Sequence, residues 1–304
     1  NTNITEFILH GLTQDRTVAK VCFLLFLLFY TTIIFGNLLI IITIRTNEQL
    51  NSPMYFFLSY LSFVDISYST VSAPKLIHDL LMEEKTISFV GCMTQLFWTH
   101  FFGCSEAFLL MVMAYDRCIA ICKPLHYTSI MSQRVCSSLV AASGLGGFVH
   151  SLVQILLVLQ LPFCGPNNRI DHYFCDTHPL LALACTDTYT ISVTMGIFTG
   201  VTSLGCFAVL VVSYAVILAS LRTHSLKGRL RALYTCTSHI TVVVLFFGPC
   251  IFVYMRPSTT FPADKVVSVF YTIITPMLNP FIYTLRNQEV KNCLKTLWSR
   301  TVKR

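Results

Sequence analysis

The chain has 304 residues, 54% of them hydrophobic and only 12% charged, with a formal net charge of +7 and a mean hydropathy of +0.67. A soluble domain carries roughly 25% charged residues, so this composition excludes a chain solvated on all sides. The basic surplus follows membrane topology and gives no case for nucleic-acid binding.

Apolar patterning predicts helices near 18–45, 52–80, 90–122, 134–160, 188–223, 228–256 and 264–286. A span needs about 20 apolar residues, and several of these exceed it, which implies tilt or extension into water. The expected fold is an all-α membrane protein, a single seven-helix domain over 1–304. Residues 1–17 form the outer N-terminus, with the glycosylation sequon Asn3-Ile4-Thr5. The first stretch is too long for a signal peptide and lacks a small-residue cleavage site. Asp65 sits in the second helix, and Cys92 and Glu106 in the third, which closes on Met113-Ala114-Tyr115-Asp116-Arg117-Cys118. A long loop, 161–187, joins the fourth and fifth helices and holds Cys164, Cys175 and Cys185. His239 lies on the inner half of the sixth helix, and Asn279-Pro280-Phe281-Ile282-Tyr283 in the seventh. Residues 287–304 read as a cytoplasmic tail with a short amphipathic helix.

With the N-terminus outside, fourteen Lys and Arg fall on the cytoplasmic side and seven outside, which accounts for all 21 and obeys the positive-inside rule. The inner surplus suits anionic lipid of the inner leaflet. The same topology places Cys92, Cys164, Cys175 and Cys185 on the oxidising side, where disulfides persist. Four cysteines allow three pairings, and spacing does not choose among them.

Several polar residues stand out against this apolar background. An ionisable residue at membrane depth is functional by default, so Asp116-Arg117 reads as a switch in which Arg117 pairs with Asp116 in one state and leaves it in another. Pro280 removes a backbone hydrogen bond mid-span, and Asn279 is placed to satisfy the freed carbonyl. Asp65 and Glu106, if they face one interior, would repel and so share a proton or hold a cation between them; the alternative is that hydroxyls and backbone satisfy each acid separately. His100 and Cys104 are four apart on one helical face, half of a copper or zinc site or else a histidine beside a small buried thiol. His239 either titrates or makes a static interhelical hydrogen bond. The pattern shows no internal repeat of a transporter and no nucleophile or metal signature of a membrane enzyme.

Pro53-Met54-Tyr55-Phe56-Phe57-Leu58, Met113 to Cys122, Lys123-Pro124-Leu125-His126-Tyr127, Ser213-Tyr214, Thr235-Cys236-Thr237-Ser238-His239 and Pro276 to Tyr283 together resemble the vertebrate odorant receptors of the airborne-ligand class. These are rhodopsin-like G protein-coupled receptors, and the resemblance covers nearly the whole chain. It implies a plasma-membrane receptor with no enzymatic activity that binds a small volatile and activates a stimulatory, olfactory G protein to raise cyclic AMP. It implies the pairings Cys92–Cys175 and Cys164–Cys185, and switch roles for Asp116, Arg117, Tyr214, His239, Asn279, Pro280 and Tyr283. By position it implies a pocket of Thr99, His100, Gly103, Cys104, Phe198, Thr199, Thr202, Phe247, Cys250, Ile251, Tyr254 and Thr272. No cofactor is required, though copper at His100 and Cys104 or a cation at Asp65 and Glu106 would fit. Phe247 stands where the family often has tyrosine. Thr99 stands where amine receptors carry an acid, which disfavours a cationic ligand.

Overall fold

The structure is a computed structural model that describes residues 5–164, 168–222, 226–254, 262–285 and 290–293. The sequon at Asn3 and all but four residues of the 287–304 tail lie outside the described residues. Seven long helical segments occur among the described residues: Arg16–Thr46, Pro53–Asp79, Phe89–Cys122, Gln133–Leu159, Tyr189–Leu221, Leu226–Tyr254 and a seventh built in pieces. That seventh runs through Pro262–Val269, a π-helical turn at Phe270–Ile274, and Thr275–Leu285.

Local chemistry starts these helices where the apolar runs begin. The Asp15 carboxylate accepts the backbone N–H of Thr17 (2.7 Å) and Val18 (3.0 Å), two of the otherwise unpaired donors of the first turn. Pro53 opens the second helix, where a missing N–H costs nothing. The Ser88 hydroxyl caps the third through Gly91. The third helix is the axis of the bundle, with Leu96, Leu110 and Ala114 fully buried. The first and fifth present exposed apolar faces, among them Leu24, Phe35, Val201 and Val212. Six of the helices are long and apolar enough to cross a membrane. The second is not, because it turns Ser59, Ser62, Asp65, Ser69 and Ser72 inward, all of them buried.

Prolines break four of the backbone hydrogen bonds in these helices, and neighbouring side chains repair the damage. Pro280 removes the donor for the Pro276 carbonyl, and Asn37 of the first helix supplies one at 3.1 Å. The sequence assigned that repair to Asn279; the structure corrects this, because the Asn279 amide instead donates to Asp65 at 2.8 Å. Pro276 frees the Thr272 carbonyl, which accepts the Ser69 hydroxyl at 3.0 Å. Pro249 frees the Leu245 carbonyl, which accepts the Thr275 hydroxyl at 3.3 Å. In the turn that Pro74 distorts, the Gln95 amide donates to the Val71 carbonyl at 3.1 Å.

The outer face carries a three-stranded sheet that the all-α expectation did not include. Strand β1 (Glu6–Leu9) pairs antiparallel with β2 (Thr86–Ser88) and parallel with β3 (Arg169–Ile170). Phe7 and Leu9 of β1 are buried against Cys92, Leu96 and Cys175. The N-terminal segment is thus part of the outer cap.

The tightest helix contact joins the third and fourth. A Cβ added at Gly147 would stand 2.2 Å from Ser105 Oγ and 2.7 Å from the Phe101 carbonyl oxygen, whereas one at Gly144 meets nothing within 4 Å. Overpacking of this kind costs about 1–3 kcal/mol. Gly147→Ala is therefore expected to lower the melting temperature of the purified protein and Gly144→Ala to leave it nearly unchanged. Equal melting temperatures would show that the helices separate freely at this point.

Candidate functional site

A cavity of about 60 Å³ lies in the outer half of the bundle. Of the residues expected from sequence, Thr99, His100, Gly103, Cys104, Thr199, Thr202, Phe247, Cys250 and Tyr254 line it. Three do not. Phe198 stacks on His150, with ring centroids 5.1 Å apart. Ile251 packs into the apolar core. Thr272 is fully buried and bonded to Tyr173 (3.0 Å) and to the Ser268 carbonyl (2.8 Å). Tyr68, Ala107, His150, Ser203, Phe246 and Tyr271 complete the lining and were not anticipated. Tyr68 enters because Gly103 leaves it room: a Cβ there would lie 3.2 Å from the Tyr68 hydroxyl.

The long outer loop forms the roof. Disulfides join Cys92 to Cys175 and Cys164 to Cys185, with Cα atoms 5.5 and 5.9 Å apart. Beside the first, the Gln95 carbonyl accepts the Cys175 N–H at 2.9 Å, so Gln95 binds the loop with one end and the second helix with the other. Asp176 is buried and caps the short helix Thr177–Leu181 through the Thr177 N–H. It also accepts the Tyr254 hydroxyl on both oxygens at 3.1 and 3.2 Å, and it lies 4.0 Å from His100 Nε2. Burial pushes the Asp176 carboxyl above its ordinary value, while His178 and the hydrogen bonds pull it back. Thr99 lines the cavity where amine receptors carry an acid, and the roof sets Asp176 against two other lining residues, His100 and Tyr254.

A family model described as olfactory receptor matches residues 26–301. The chain belongs to the olfactory receptor family. Human olfactory receptor 4S2 is 61% identical over 300 residues, spanning 99% of this chain and 96% of that protein. Mouse olfactory receptor 4B13 is 58% identical over 298 residues, spanning 98% and 97%. The crystal structure of squid rhodopsin shares the fold, with a TM-score of 0.74 at 16% identity over 95% of this chain and 87% of that one. The chain is therefore a multi-pass membrane receptor and not an enzyme.

Below the cavity, the receptor buries two acids. Asp65 and Glu106 are both 0% exposed and interact electrostatically. Glu106 also lies within electrostatic range of Tyr68 and Cys250, which line the cavity. Asp65 Oδ1, both Glu106 oxygens, Asn279 Oδ1 and Asn37 Oδ1 have no hydrogen-bond partner among the described residues. Such a set of bare oxygens fits a hard cation or a shared proton.

At the end of the bundle away from the cavity, Arg117 Nη2 lies 3.6 Å from Asp116 Oδ2. The Tyr127 hydroxyl donates to the other Asp116 oxygen at 2.7 Å. Tyr214 and His239 share a hydrogen bond between the fifth and sixth helices. Tyr283 is buried with its hydroxyl unpaired among the described residues. No group of three or more His, Cys, Asp or Glu suited to a metal occurs among the described residues, so His100 and Cys104 gain no third ligand.

The roof of the receptor titrates through His172, which faces Asp171, Lys265 and Ser268. Burial lowers its value from 6.5 to about 3. Between those values an opened roof binds a proton that the closed one refuses. Stability present above pH 6.5 is therefore lost as pH falls toward 3. Asp176, with its raised value, works in the opposite sense, favouring the closed roof as pH falls. Hydrogen exchange over 168–178, corrected for intrinsic rates, is expected to rise by up to about tenfold per pH unit below 6.5. In His172→Phe that rise should vanish; its persistence would place the titration elsewhere.

Proposed function

We propose that this receptor binds one small, neutral volatile in the outer cavity and drives nucleotide exchange on a stimulatory, olfactory G protein, raising cyclic AMP. It does so from the plasma membrane with its N-terminus outside. The observation that carries the reading is the cavity itself: apolar walls with a few hydroxyls and two imidazoles, closed by a disulfide-tied roof and standing above two buried carboxyls.

The size of the cavity says how binding would couple to signalling. An apolar cavity of about 150 Å³ holds a benzene ring, so 60 Å³ holds only a fragment of such a molecule. A ligand must widen the space between the third, fifth and sixth helices. Its differential affinity for the wider state is what shifts the equilibrium. Apolar burial contributes about 25 cal/mol per Å², so a small volatile gains only a few kcal/mol and binds weakly.

In the resting state Arg117 is held near Asp116, and Tyr127 fixes that acid; release of Arg117 toward the G protein is the output. Asp65 and Glu106 hold a monovalent cation, with Asn279 completing the cage. Copper at His100 and Cys104 has two ligands to support it, and copper titration of thiol responses tests it.

A cyclic-AMP screen over a diverse volatile panel should find activators, and purified receptor should accelerate nucleotide exchange when they are added. Ion flux without exchange would assign a channel instead. Arg117→Ala is expected to abolish the signal at matched surface expression, and full signalling would remove Arg117 from the switch. Exchanging choline for sodium should raise the melting temperature of the wild type but not of Glu106→Gln. Sodium insensitivity would assign the shared proton.

A further inference from the structure

Resting on the odorant reading, a narrower conclusion concerns what the cavity recognises. Four of its polar side chains are already engaged. The Thr199 hydroxyl accepts the Gln154 amide at 2.8 Å, and the Thr202 hydroxyl donates to the Phe198 carbonyl at 2.8 Å. Tyr254 is held by Asp176, and Tyr271 donates to Ser268 at 2.9 Å. Among the fully buried lining atoms, three have no partner among the described residues: His100 Nε2, His150 Nδ1 and Thr99 Oγ1. Both histidines are more than nine-tenths buried, at 8% and 6% exposure, so bulk water does not serve them. Their ring centroids are 5.8 Å apart, which places the two imidazoles side by side on one wall of the cavity.

We propose that His150 of the fourth helix is a second polar anchor which, together with His100, selects ligands carrying a hydroxyl group. A neutral imidazole offers one N–H and one bare nitrogen. The Asp176 carboxylate, 4.0 Å from His100 Nε2, favours a proton on that atom. The ligand oxygen accepts from His100 and donates to His150 Nδ1, with the Thr99 hydroxyl as a third neighbour. An ether or ketone oxygen can only accept, so it leaves one buried nitrogen unpaired, a larger loss than the bond itself. The ligand class is therefore a small alcohol or phenol with an apolar body directed toward Phe246 and Phe247.

The test compares an alcohol, its methyl ether, the matching ketone and the hydrocarbon of the same skeleton. Cyclic-AMP potency and the thermal shift of purified receptor are read for each. In the wild type the alcohol should exceed the ether by about tenfold. His150→Phe keeps the ring stack on Phe198; it should erase that preference while changing ether potency by less than about threefold. His150→Leu is the second variant, and surface labelling checks that each folds. An alcohol preference unchanged in either folded variant overturns the assignment. So does a wild type that prefers the ether, ketone or hydrocarbon, a result that leaves the odorant reading intact. If no compound of any class binds or signals, the odorant reading falls, and this one with it.

Discussion

Hydrocarbon offers a backbone carbonyl no hydrogen bond, and that constraint shapes this bundle more than any side-chain contact does. A proline inside a span would leave an unpaired carbonyl at a cost of several kcal/mol if nothing replaced the lost donor. Here the replacements come from other helices: Asn37 for the Pro276 carbonyl, Ser69 for Thr272, Thr275 for Leu245. Each repair ties a particular pair of helices at a particular height. The seventh helix is joined in this way to the first, second and sixth, and Gly36 lets it come close, since a Cβ there would lie 3.1 Å from the Pro280 ring. A kink that looks like local damage is thus a set of addresses for the neighbouring helices. It also concentrates adaptable geometry, including the π-helical turn Phe270–Ile274, whose Tyr271 lines the cavity and whose Thr272 bonds Tyr173 of the roof.

The polar residues form a column down the bundle. Asp176 and Tyr254 stand at the roof, His100 and His150 at the cavity, Glu106 and Asp65 beneath it, and Arg117 with Asp116 at the inner end. Single residues join the levels: Tyr254 of the cavity wall bonds Asp176, Glu106 lies within electrostatic range of Tyr68 and Cys250 of that wall, and Tyr283 lies within range of Asp65, Glu106 and Arg117. Each level has a bare acceptor or a bond longer than ordinary hydrogen-bond distance, such as the 3.6 Å separation of Arg117 and Asp116. Under-satisfied polar groups in low dielectric are poorly suited to stability. They are well suited to a molecule that has to repartition them between two arrangements.

The seven helices were legible in the sequence because a run of about 20 apolar residues matches the thickness of a bilayer and seldom occurs outside one. The second helix is instructive: its serines lower its hydropathy, yet their inward burial is what makes it a bundle helix. The disulfide pairing came from family resemblance, since three pairings were open to spacing alone. The strands were not legible, because two to four residues are too short for alternation to register. Neither was the role of Asn37, whose acceptor is 239 residues away. In the cavity, the errors are rotational. Phe198 and Ile251 adjoin the lining residues Thr199 and Cys250, and one residue turns a helix by about 100°. His150 carried a faint signal, an imidazole in an otherwise apolar fourth helix. Asp176 carried none, because an acid in an outer loop is ordinarily solvated.

The small cavity also constrains how the receptor can be poised. Moving a two-state equilibrium from 1:99 to 99:1 takes about 5.5 kcal/mol of differential binding. A volatile that buries roughly 150 Å² of apolar surface gains about 4 kcal/mol in all. Part of that gain is consumed in widening a 60 Å³ space, so less remains for switching. A ligand of this class therefore cannot overturn a strongly closed receptor. On the proposed function the resting state has to be only slightly preferred, and the bare groups at Arg117 and Tyr283 would help to keep the preference slight. On this argument a substitution that fully satisfied those groups would stabilise the fold while making the receptor deaf to weak ligands.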